Sequence, residues 1–304
     1  MAFCFKKKES VPRAIRRLGR ERVANALECL KDCPHGEAIH CARKDIKKVR
    51  AVLRLVRTGI ERKEFRVLTK RLRQAAKYLA APRDAHVKIE TLAHLKSHFK
   101  GQLATSAWCH VREELRNAFA EEMNRFAKEK SSKTVQRLLH QVAKGLEGLK
   151  IKDKDWKALS PGMKATYVDG LRTYQKARRD SSSENLHAWR KRTKDLWYQI
   201  TLLRRIWPEQ MDKMADDLAM LGELLGNDHD LVMLRHGVNE ICAGERHSRE
   251  LETLIGLIEE RHRELRSAAV AIGARFYAED PSAFSKRLAG YWKAWRREKS
   301  RPPG

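Results

Sequence analysis

Apolar residues recur every three to four positions along most of the chain, and the alternating pattern of a half-buried strand is nearly absent. That period is typical of amphipathic helices that bury one face. Proline and glycine break it only briefly, so we predict an all-α fold of long helices joined by short turns. The predicted helices cover about residues 10–31, 37–58, 62–80, 84–130 (one or two helices, with a break at Gly101), 132–149, 185–206, 208–225, 231–243 and 246–279, and two more begin after Pro161 and Pro281.

Two short segments share a pattern of an apolar residue, a histidine, an arginine and a lysine. They are residues 39–44 and 186–191, whose histidines are 147 positions apart. Residues 79–84 and 225–230 also align, at an offset of 146 positions. Landmarks that keep one order and nearly one offset indicate an internal duplication. We therefore predict two helical halves of about four helices each, residues 10–150 and 151–300.

Each repeated segment predicts a helix with one cationic face and one apolar face. Because an α-helix turns 100° per residue, His40, Arg43 and Lys47 share an arc that lies opposite Ile46. Seven bases and one acid stand between Arg43 and Arg57, whereas a solvated helix usually interleaves acids with bases. We predict that these cationic faces bind an anion. The candidate residues are His40, Arg43, Lys44, Lys47, Lys48, Arg50, Arg54, His187, Arg190, Lys191 and Lys194.

Two neighbouring helices extend the predicted basic surface. Arginines follow one face of the first helix, and arginines and lysines follow one face of the third. A guanidinium group can donate two parallel hydrogen bonds to a phosphate, and lysine adds a point charge. A groove lined in this way suits a repeating phosphate chain. The additional candidates are Arg13, Arg17, Arg20, Arg73 and Lys77.

The net charge of the chain supports a polyanionic partner. Lys and Arg number 65 against 39 Asp and Glu, which gives a formal charge of +26 at pH 7. A surplus of this size repels itself and favours binding to nucleic acid or another polyanion. No apolar run is long enough to span a membrane, and no apolar signal segment opens the sequence. Six scattered cysteines are typical of reduced thiols, so we expect a cytoplasmic protein.

Catalytic and metal motifs are weak in this sequence. His40 and His187 suit either an ordinary core or surface histidine or a residue that contacts the ligand. Cysteines and histidines between positions 29 and 41, and a Glu-His-His face from Glu90 to His98, match no standard metal spacing. Asp84 and Asp230 are repeated acids, which we expect at helix starts as caps or as partners of a repeated arginine. We therefore predict no enzyme, no metal and no cofactor.

The repeated motif resembles that of the CHAD family, the conserved-histidine α-helical domain. The family pattern, an apolar residue, His-x-x-Arg and further bases, is met fully by the first copy, His40 to Arg50. The second copy departs at Asp195 and Trp197, where bases are common. The landmark Leu-Gly-x-x-x-Asp is intact at residues 225–230, and the resemblance spans about residues 10–300.

The resemblance implies two helical bundles related by a pseudo-twofold axis, with basic faces around a central groove or pore. It also implies binding of inorganic polyphosphate and location at polyphosphate granules. Nucleic acid is the alternative partner, although single-strand readers place aromatic side chains on the cationic face and the first copy has none. The third hypothesis is an enzyme that acts on a phosphate polymer. Such an enzyme would need acids or metal ligands beside the bases.

Overall fold

The computed structural model describes residues 3–31, 36–102, 104–244 and 249–298, with only the backbone of 242–244. Within these ranges the chain forms eleven α-helices, a 3-10 helix over Arg57–Gly59 and no strand, which confirms the all-α prediction. The α-helices are α1 (Val11–Cys29), α2 (Gly36–Leu55), α3 (Arg62–Tyr78), α4 (Ala80–His98), α5 (Thr105–Lys128), α6 (Ser131–Glu147), α7 (Trp156–Arg179), α8 (Ser183–Leu202), α9 (Pro208–Gly244), α10 (Arg249–Phe276) and α11 (Pro281–Arg297).

The helix over residues 37–58 is predicted almost correctly and occupies the middle of the molecule. Its apolar residues Ile39, Ile46, Val49 and Leu53 are all buried, at the spacing of one helix face. α2 packs against α1, α3, α7 and α8. Since α8 carries the second copy of the motif, the two motif-bearing helices are direct neighbours.

Residues 208–244 form one helix, so the prediction of separate helices over 208–225 and 231–243 is wrong. A glycine within a helix costs about 1 kcal/mol relative to alanine. Packing between α9 and its neighbours α8 and α10 outweighs that cost. A buried carboxylate, Asp228, also fixes this segment, since its Oδ1 accepts bonds of 2.7 Å from His262 Nδ1 and from Arg266 Nε on α10.

Prolines mark the helix starts less sharply than predicted. α7 begins at Trp156 and contains Pro161, because Ala158 and Leu159 in its first turn are buried in the core. α4 begins at Ala80 and holds Pro82 in its first turn, where a missing N–H costs no helical bond. The break at Gly101 is confirmed: this residue has a φ of +79°, which glycine adopts readily.

Two apolar cores hold the helices together, and each draws on both predicted halves. The larger core joins α1, α2, α3 and α6 to α7, α8, α11 and the first part of α9. The smaller core joins α4 and α5 to the later part of α9 and to α10. The aromatic stripe of α11, Phe284, Trp292 and Trp295, is buried in the larger core and closes it. That residues 10–150 and 151–300 are two copies of one ancestral unit remains a prediction from the sequence.

A disulfide between Cys29 and Cys41 joins the end of α1 to α2, so the expectation of reduced cysteines is wrong for this pair. The two helices pack side by side and bring the Cα atoms to 6.3 Å, a separation that suits a disulfide. Cys4 and Cys109 are free. Cys33 and the Cys242 side chain lie outside the described residues.

Candidate anion-binding site

The facing sides of α2 and α8 carry the repeated cations. Gln199 Nε2 on α8 donates to the backbone oxygen of Ala51 on α2 at 3.3 Å. Arg54 Nη1 lies 3.1 Å from Asp195 Oδ2, which adds an ion pair between the same helices. The motif residues at the other ends of α2 and α8 are therefore held in a fixed relation.

A cluster of cations forms where α2 and α8 meet α4 and α9. We call it the central cluster, and its members are Arg43, Lys47, Arg83, Asp84, Arg190, Lys194 and Asp230. The side chain of Lys47 reaches solvent, yet protein surrounds it closely. The pKa of Lys47 is lowered to about 7. Burial is the main cause, and the neighbouring charges of Arg190, Arg43 and Lys194 act in the same direction. Four cations from both motif copies thus crowd one place.

The same crowding affects the other lysine of the cluster. Burial, followed by the charge of Arg190, lowers the pKa of Lys194. A glycine of α9 makes room for this side chain, since a Cβ at Gly222 would lie 2.9 Å from Lys194 Nζ. A Cβ at Gly226 would lie 3.7 Å from Arg190 Nε, which is an ordinary contact. The glycine of the Leu-Gly landmark lies inside α9 and does not end a helix.

Each arginine of the motif faces one carboxylate. Arg43 Nη2 lies 3.9 Å from Asp84 Oδ1, and Arg190 Nη2 lies 3.9 Å from Asp230 Oδ1. Both distances are too long for hydrogen bonds. Arg190 Nε is buried and has no hydrogen-bond partner among the described residues. Arg43 Nη1 donates to the backbone oxygen of Ala76 at 3.2 Å, so the Nη2 atoms of Arg43 and Arg190 are the donors left for an anion.

The three histidines beside the cluster are neutral at pH 7. Burial, then the charge of Arg83, lowers the pKa of His40 to about 4. Burial, then Lys191, does the same for His187, and burial lowers the pKa of His229 to about 3. The rings of His187 and His229 lie with their centroids 4.3 Å apart. Neutral imidazoles can donate a hydrogen bond to an anion but add no charge.

The remaining candidates on α2 and α8 divide into free and engaged cations. Lys44 and Lys191 are exposed and form no ion pair with a described residue. Lys48 Nζ lies 3.0 Å from the buried carboxylate of Asp45 and is engaged there. Arg50 lies near Arg54, Arg73 and Asp195, and burial lowers its pKa. Asp195, at the position where the second copy departs from the family pattern, neutralises Arg54.

The arginines of α1 lie in a different place from the central cluster. Together with Lys6 and Lys8 they line an open cavity of about 880 Å³, here called the α1 cavity. Arg17 makes a two-pronged pair with Glu9, at 2.9 and 2.7 Å. Arg20 pairs with Glu147 at 3.2 Å. Arg13 is exposed and forms no ion pair with a described residue.

On α3, the two candidates are also separated. Arg73 lies close enough to Arg50 to lower its pKa through their like charges. Lys77 instead lines a second cavity, of about 520 Å³, with acids that include Glu122 and Glu129. The structure thus gathers Arg43, Lys47, Arg190 and Lys194 in the central cluster. Outside the cluster lie Lys48, Arg50, Arg54, Arg73, Arg13, Arg17, Arg20 and Lys77.

Two members of the site neighbourhood are absent from the sequence-based candidates. Arg83 and His229 occupy equivalent positions in the aligned segments 79–84 and 225–230, and this alignment was the signal that could have identified them. The repeated acids are correctly predicted as partners of the repeated arginines. The capping alternative is wrong for Asp230, which lies in the interior of α9 rather than at a helix start.

No group of three or more metal-ligating side chains comes together in the part of the chain that the structure describes. None of its described helices has the length and apolar character that crossing a membrane requires. Cys33 and His35, named with the cysteine and histidine set, lie outside the described residues.

Fold and site together define an all-α protein whose two motif helices gather cations between them. A family model described as the CHAD domain matches residues 13–238. The chain therefore belongs to the CHAD family, as its repeated motif suggests. That family is linked to polyphosphate binding in general.

Solved structures with the same fold support this assignment. PptA from Streptomyces chartreusis is 14% identical, with a TM-score of 0.63 over 87% of this chain and 98% of that chain. The CHAD domain from the plant Ricinus communis is 15% identical, with a TM-score of 0.62 over 95% of each chain. At these identities the likeness concerns the fold alone. Among curated proteins, no significant match to this chain is found.

Proposed function

We propose that this protein binds inorganic polyphosphate at the central cluster. The observation that carries the proposal is that Arg43 and Lys47 of α2 lie beside Arg190 and Lys194 of α8, close enough for their like charges to repel. Cations held this close destabilise one another, and a bound polyanion relieves that repulsion. The five cations of the cluster exceed its two carboxylates, so a net positive charge is left for the ligand.

The types of side chain favour phosphate over a carboxylate ligand of low charge. The guanidinium groups of Arg43 and Arg190 are the type of donor that matches phosphate oxygens, and Arg43 keeps Nη2 for this purpose while its Nη1 bonds to Ala76. Lys47 and Lys194 add charge between them. Lys44 and Lys191 are exposed next to the cluster and can hold further phosphates of a longer chain. A linear polymer of phosphates meets all of these groups at once.

Binding without catalysis is the activity that we propose. The central cluster combines five cations with two carboxylates, a composition that suits the binding of an anion. The neutral histidines at pH 7 suit hydrogen bonding to an anion. By analogy with the family, we further propose a cytoplasmic protein that associates with polyphosphate granules. Its partner is the polymer, and its oligomeric state is left open.

Nucleic acid is the second candidate ligand, and the aromatic side chains near the cluster argue against it. Trp197 is covered by Lys194, whose Nζ lies 4.8 Å from the ring centroid. Tyr198 is buried, with 5% of its surface exposed. Neither ring offers a free face for a base, whereas single-strand binding normally uses such stacking.

A competition assay tests the proposal. Long polyphosphate and single-stranded RNA of equal total charge compete for the protein at physiological salt. We expect polyphosphate to displace RNA, and the variant Lys47→Ala to lose affinity for polyphosphate more than for RNA. If RNA wins or ties against polyphosphate, the proposal is wrong and the nucleic-acid alternative takes its place.

A further inference from the structure

The central cluster contains two carboxylates in equivalent positions, and simple anion binding does not explain them. Asp84 comes from α4 and Asp230 from α9, and each faces the arginine of its own half at 3.9 Å. A site that only had to attract anions would be stronger without either charge. The repeated placement therefore calls for a function of its own.

Both carboxylates share one set of cations. Asp84 lies near Arg43, Lys47, Arg83 and Arg190, and Asp230 lies near three of these. The two acids also lie near enough to each other for their charges to interact. Burial is the main cause that raises the pKa of each carboxyl. A phosphate that binds Arg43 and Arg190 must therefore come close to two carboxylates, both of them partly exposed.

We propose that Asp84 and Asp230 are specificity-determining residues that make the central cluster reject short, weakly charged phosphates and accept long chains. The proposal rests on polyphosphate being the ligand. A short anion that takes up Arg43 and Arg190 meets both carboxylates, which lie 3.9 Å from these arginines.

A long chain has more ways to place its charge. It can set phosphates on Lys44 and Lys191, which have no ion-pair partner among the described residues, and keep them away from the carboxylates. Linked contacts also gain from a high effective concentration once one part of the chain is bound. The carboxylates therefore weaken every ligand but exclude the short ones most.

Substitution by asparagine tests the idea, because it removes the charge and keeps the shape. In the double variant Asp84→Asn with Asp230→Asn, we expect tripolyphosphate affinity to rise at least about tenfold, since two repulsions are removed at short range. The affinity for long polyphosphate should rise less, so discrimination by length becomes smaller. Isothermal titration calorimetry measures both ligands on the same protein.

A matched control separates this local effect from net charge. The variant Asp153→Asn with Asp216→Asn removes two exposed carboxylates outside the cluster. We expect it to change the affinity for either ligand less than twofold, because exposed charges at a distance are screened by salt. If the double variant does not fold, the single variants Asp84→Asn and Asp230→Asn replace it in the test. We expect each of them to show part of the gain in tripolyphosphate affinity.

Gain of affinity is a result that a merely structural role would not produce. If carboxylate removal leaves tripolyphosphate affinity unchanged or lowers it, Asp84 and Asp230 only orient the arginines and the proposal is overturned. Titration of the unsubstituted protein with long polyphosphate distinguishes this failure from a failure of the proposed function. A protein that binds long polyphosphate but gains nothing in the asparagine variants contradicts the specificity role alone.

Discussion

The central cluster and the α1 cavity are both lined by arginine and lysine, yet their charges are arranged in opposite ways. In the α1 cavity, Arg17 is held by Glu9 at 2.7 Å and Arg20 by Glu147 at 3.2 Å. In the central cluster the nearest acids to Arg43 and Arg190 stand 3.9 Å away. Arg17 and Arg20 of α1 are each paired with an acid, whereas Arg43 and Arg190 keep donors for a ligand.

This difference arises from which acids reach each helix. The basic stripe of α1 looks as cationic as that of α2 on a helical wheel. Glu9 precedes α1 and Glu147 lies at the end of α6, so neither belongs to the stripe itself. Ligand sites of this kind are therefore recognised by unneutralised charge in three dimensions and not by the density of basic residues.

The largest expected effect is a loss of binding confined to one of the two regions. Lys47→Ala with Lys194→Ala removes one cation from each motif helix. Each lost charge-assisted contact is worth about 1.5–3 kcal/mol, so we expect affinity for long polyphosphate to fall about 100-fold or more. Calorimetric titration at one salt concentration measures it.

The matched variant is Arg17→Ala with Arg20→Ala, which removes the same charge from the α1 cavity. We expect its affinity to fall only a few-fold, through the weaker overall field. Equal losses in the two double variants would contradict the comparison and extend the binding surface to α1.

Salt dependence should also divide the two regions. A polymer that contacts many cations displaces counterions at each, so the logarithm of affinity falls linearly with the logarithm of salt, by about −0.7 per contact as for single strands. Six or more contacts give a slope steeper than about −4, and the Lys47→Ala with Lys194→Ala variant should be shallower by about 1.4. Titrations at several salt concentrations with long chains and with pyrophosphate provide the slopes.

Pyrophosphate should bind far more weakly than a long chain, since it cannot contact both motif helices fully. Similar affinities for the two ligands, together with a shallow slope, would indicate a compact pocket for one phosphate. In that case the site that spans α2 and α8 would have to be abandoned.

Substitutions in the α1 cavity should lower folding stability more than those in the central cluster, which is the reverse of their order of effect on affinity. Arg17→Ala leaves the carboxylate of Glu9 without its two-pronged partner, and that side chain is only 7% exposed. We expect a loss of about 1–3 kcal/mol in the free energy of unfolding. Lys47→Ala should hold or raise stability, because it removes a cation that its neighbours repel. Urea unfolding measures both, and a large loss for Lys47→Ala would place this lysine in the structural framework.

Helix periodicity predicted most of the fold. The bounds of α2, α3 and α6 differ from the predicted ones by a few residues, since an amphipathic pattern with clear breaks leaves little choice. The errors at Pro161 and Gly226 have one cause: each is a local break signal of a few kcal/mol at most. Burial of Ala158 and Leu159, and the packing of α9 on α8 and α10, outweigh those signals, and neither is visible in local sequence.

A helical wheel could predict those parts of the candidate site that lie on one face of a single helix. The repeated motif identified Arg43, Lys47, Arg190 and Lys194, which the structure brings together. Arg83 escaped because it stands on another helix, whose approach to α2 depends on tertiary packing. The wheel does show that Asp45 can engage Lys48, because residues three positions apart are neighbours on one helix.

The smallest expected effect is a pH dependence that originates in Lys47. Its pKa of about 7 in the free protein lies well below the ordinary value of 10.5. Phosphates bound beside it favour the ammonium form and raise this pKa, so binding takes up a proton when the pH exceeds about 7. Affinity for polyphosphate should therefore fall as pH rises, by at most tenfold per pH unit for one proton.

Folding stability should change in the opposite direction over the same range. The unfolded chain binds a proton at Lys47 up to its ordinary pKa of 10.5, whereas the folded protein releases it above about 7. Because the unfolded state then binds more protons, the contribution of Lys47 to the free energy of unfolding rises with pH between these values. The two opposite trends distinguish titration of Lys47 from a general loss of structure in alkali.

The variant Lys47→Arg is the matched control, because arginine stays charged throughout this range. Calorimetry of polyphosphate binding between about pH 7.5 and 9.5, in buffers with different ionisation heats, counts the protons taken up. We expect uptake approaching one proton for the unsubstituted protein at the upper end and a much smaller value for Lys47→Arg. The same uptake in both proteins would assign the titration to another group, and no uptake in either would mean that Lys47 keeps its ordinary charge beside Arg43 and Arg190.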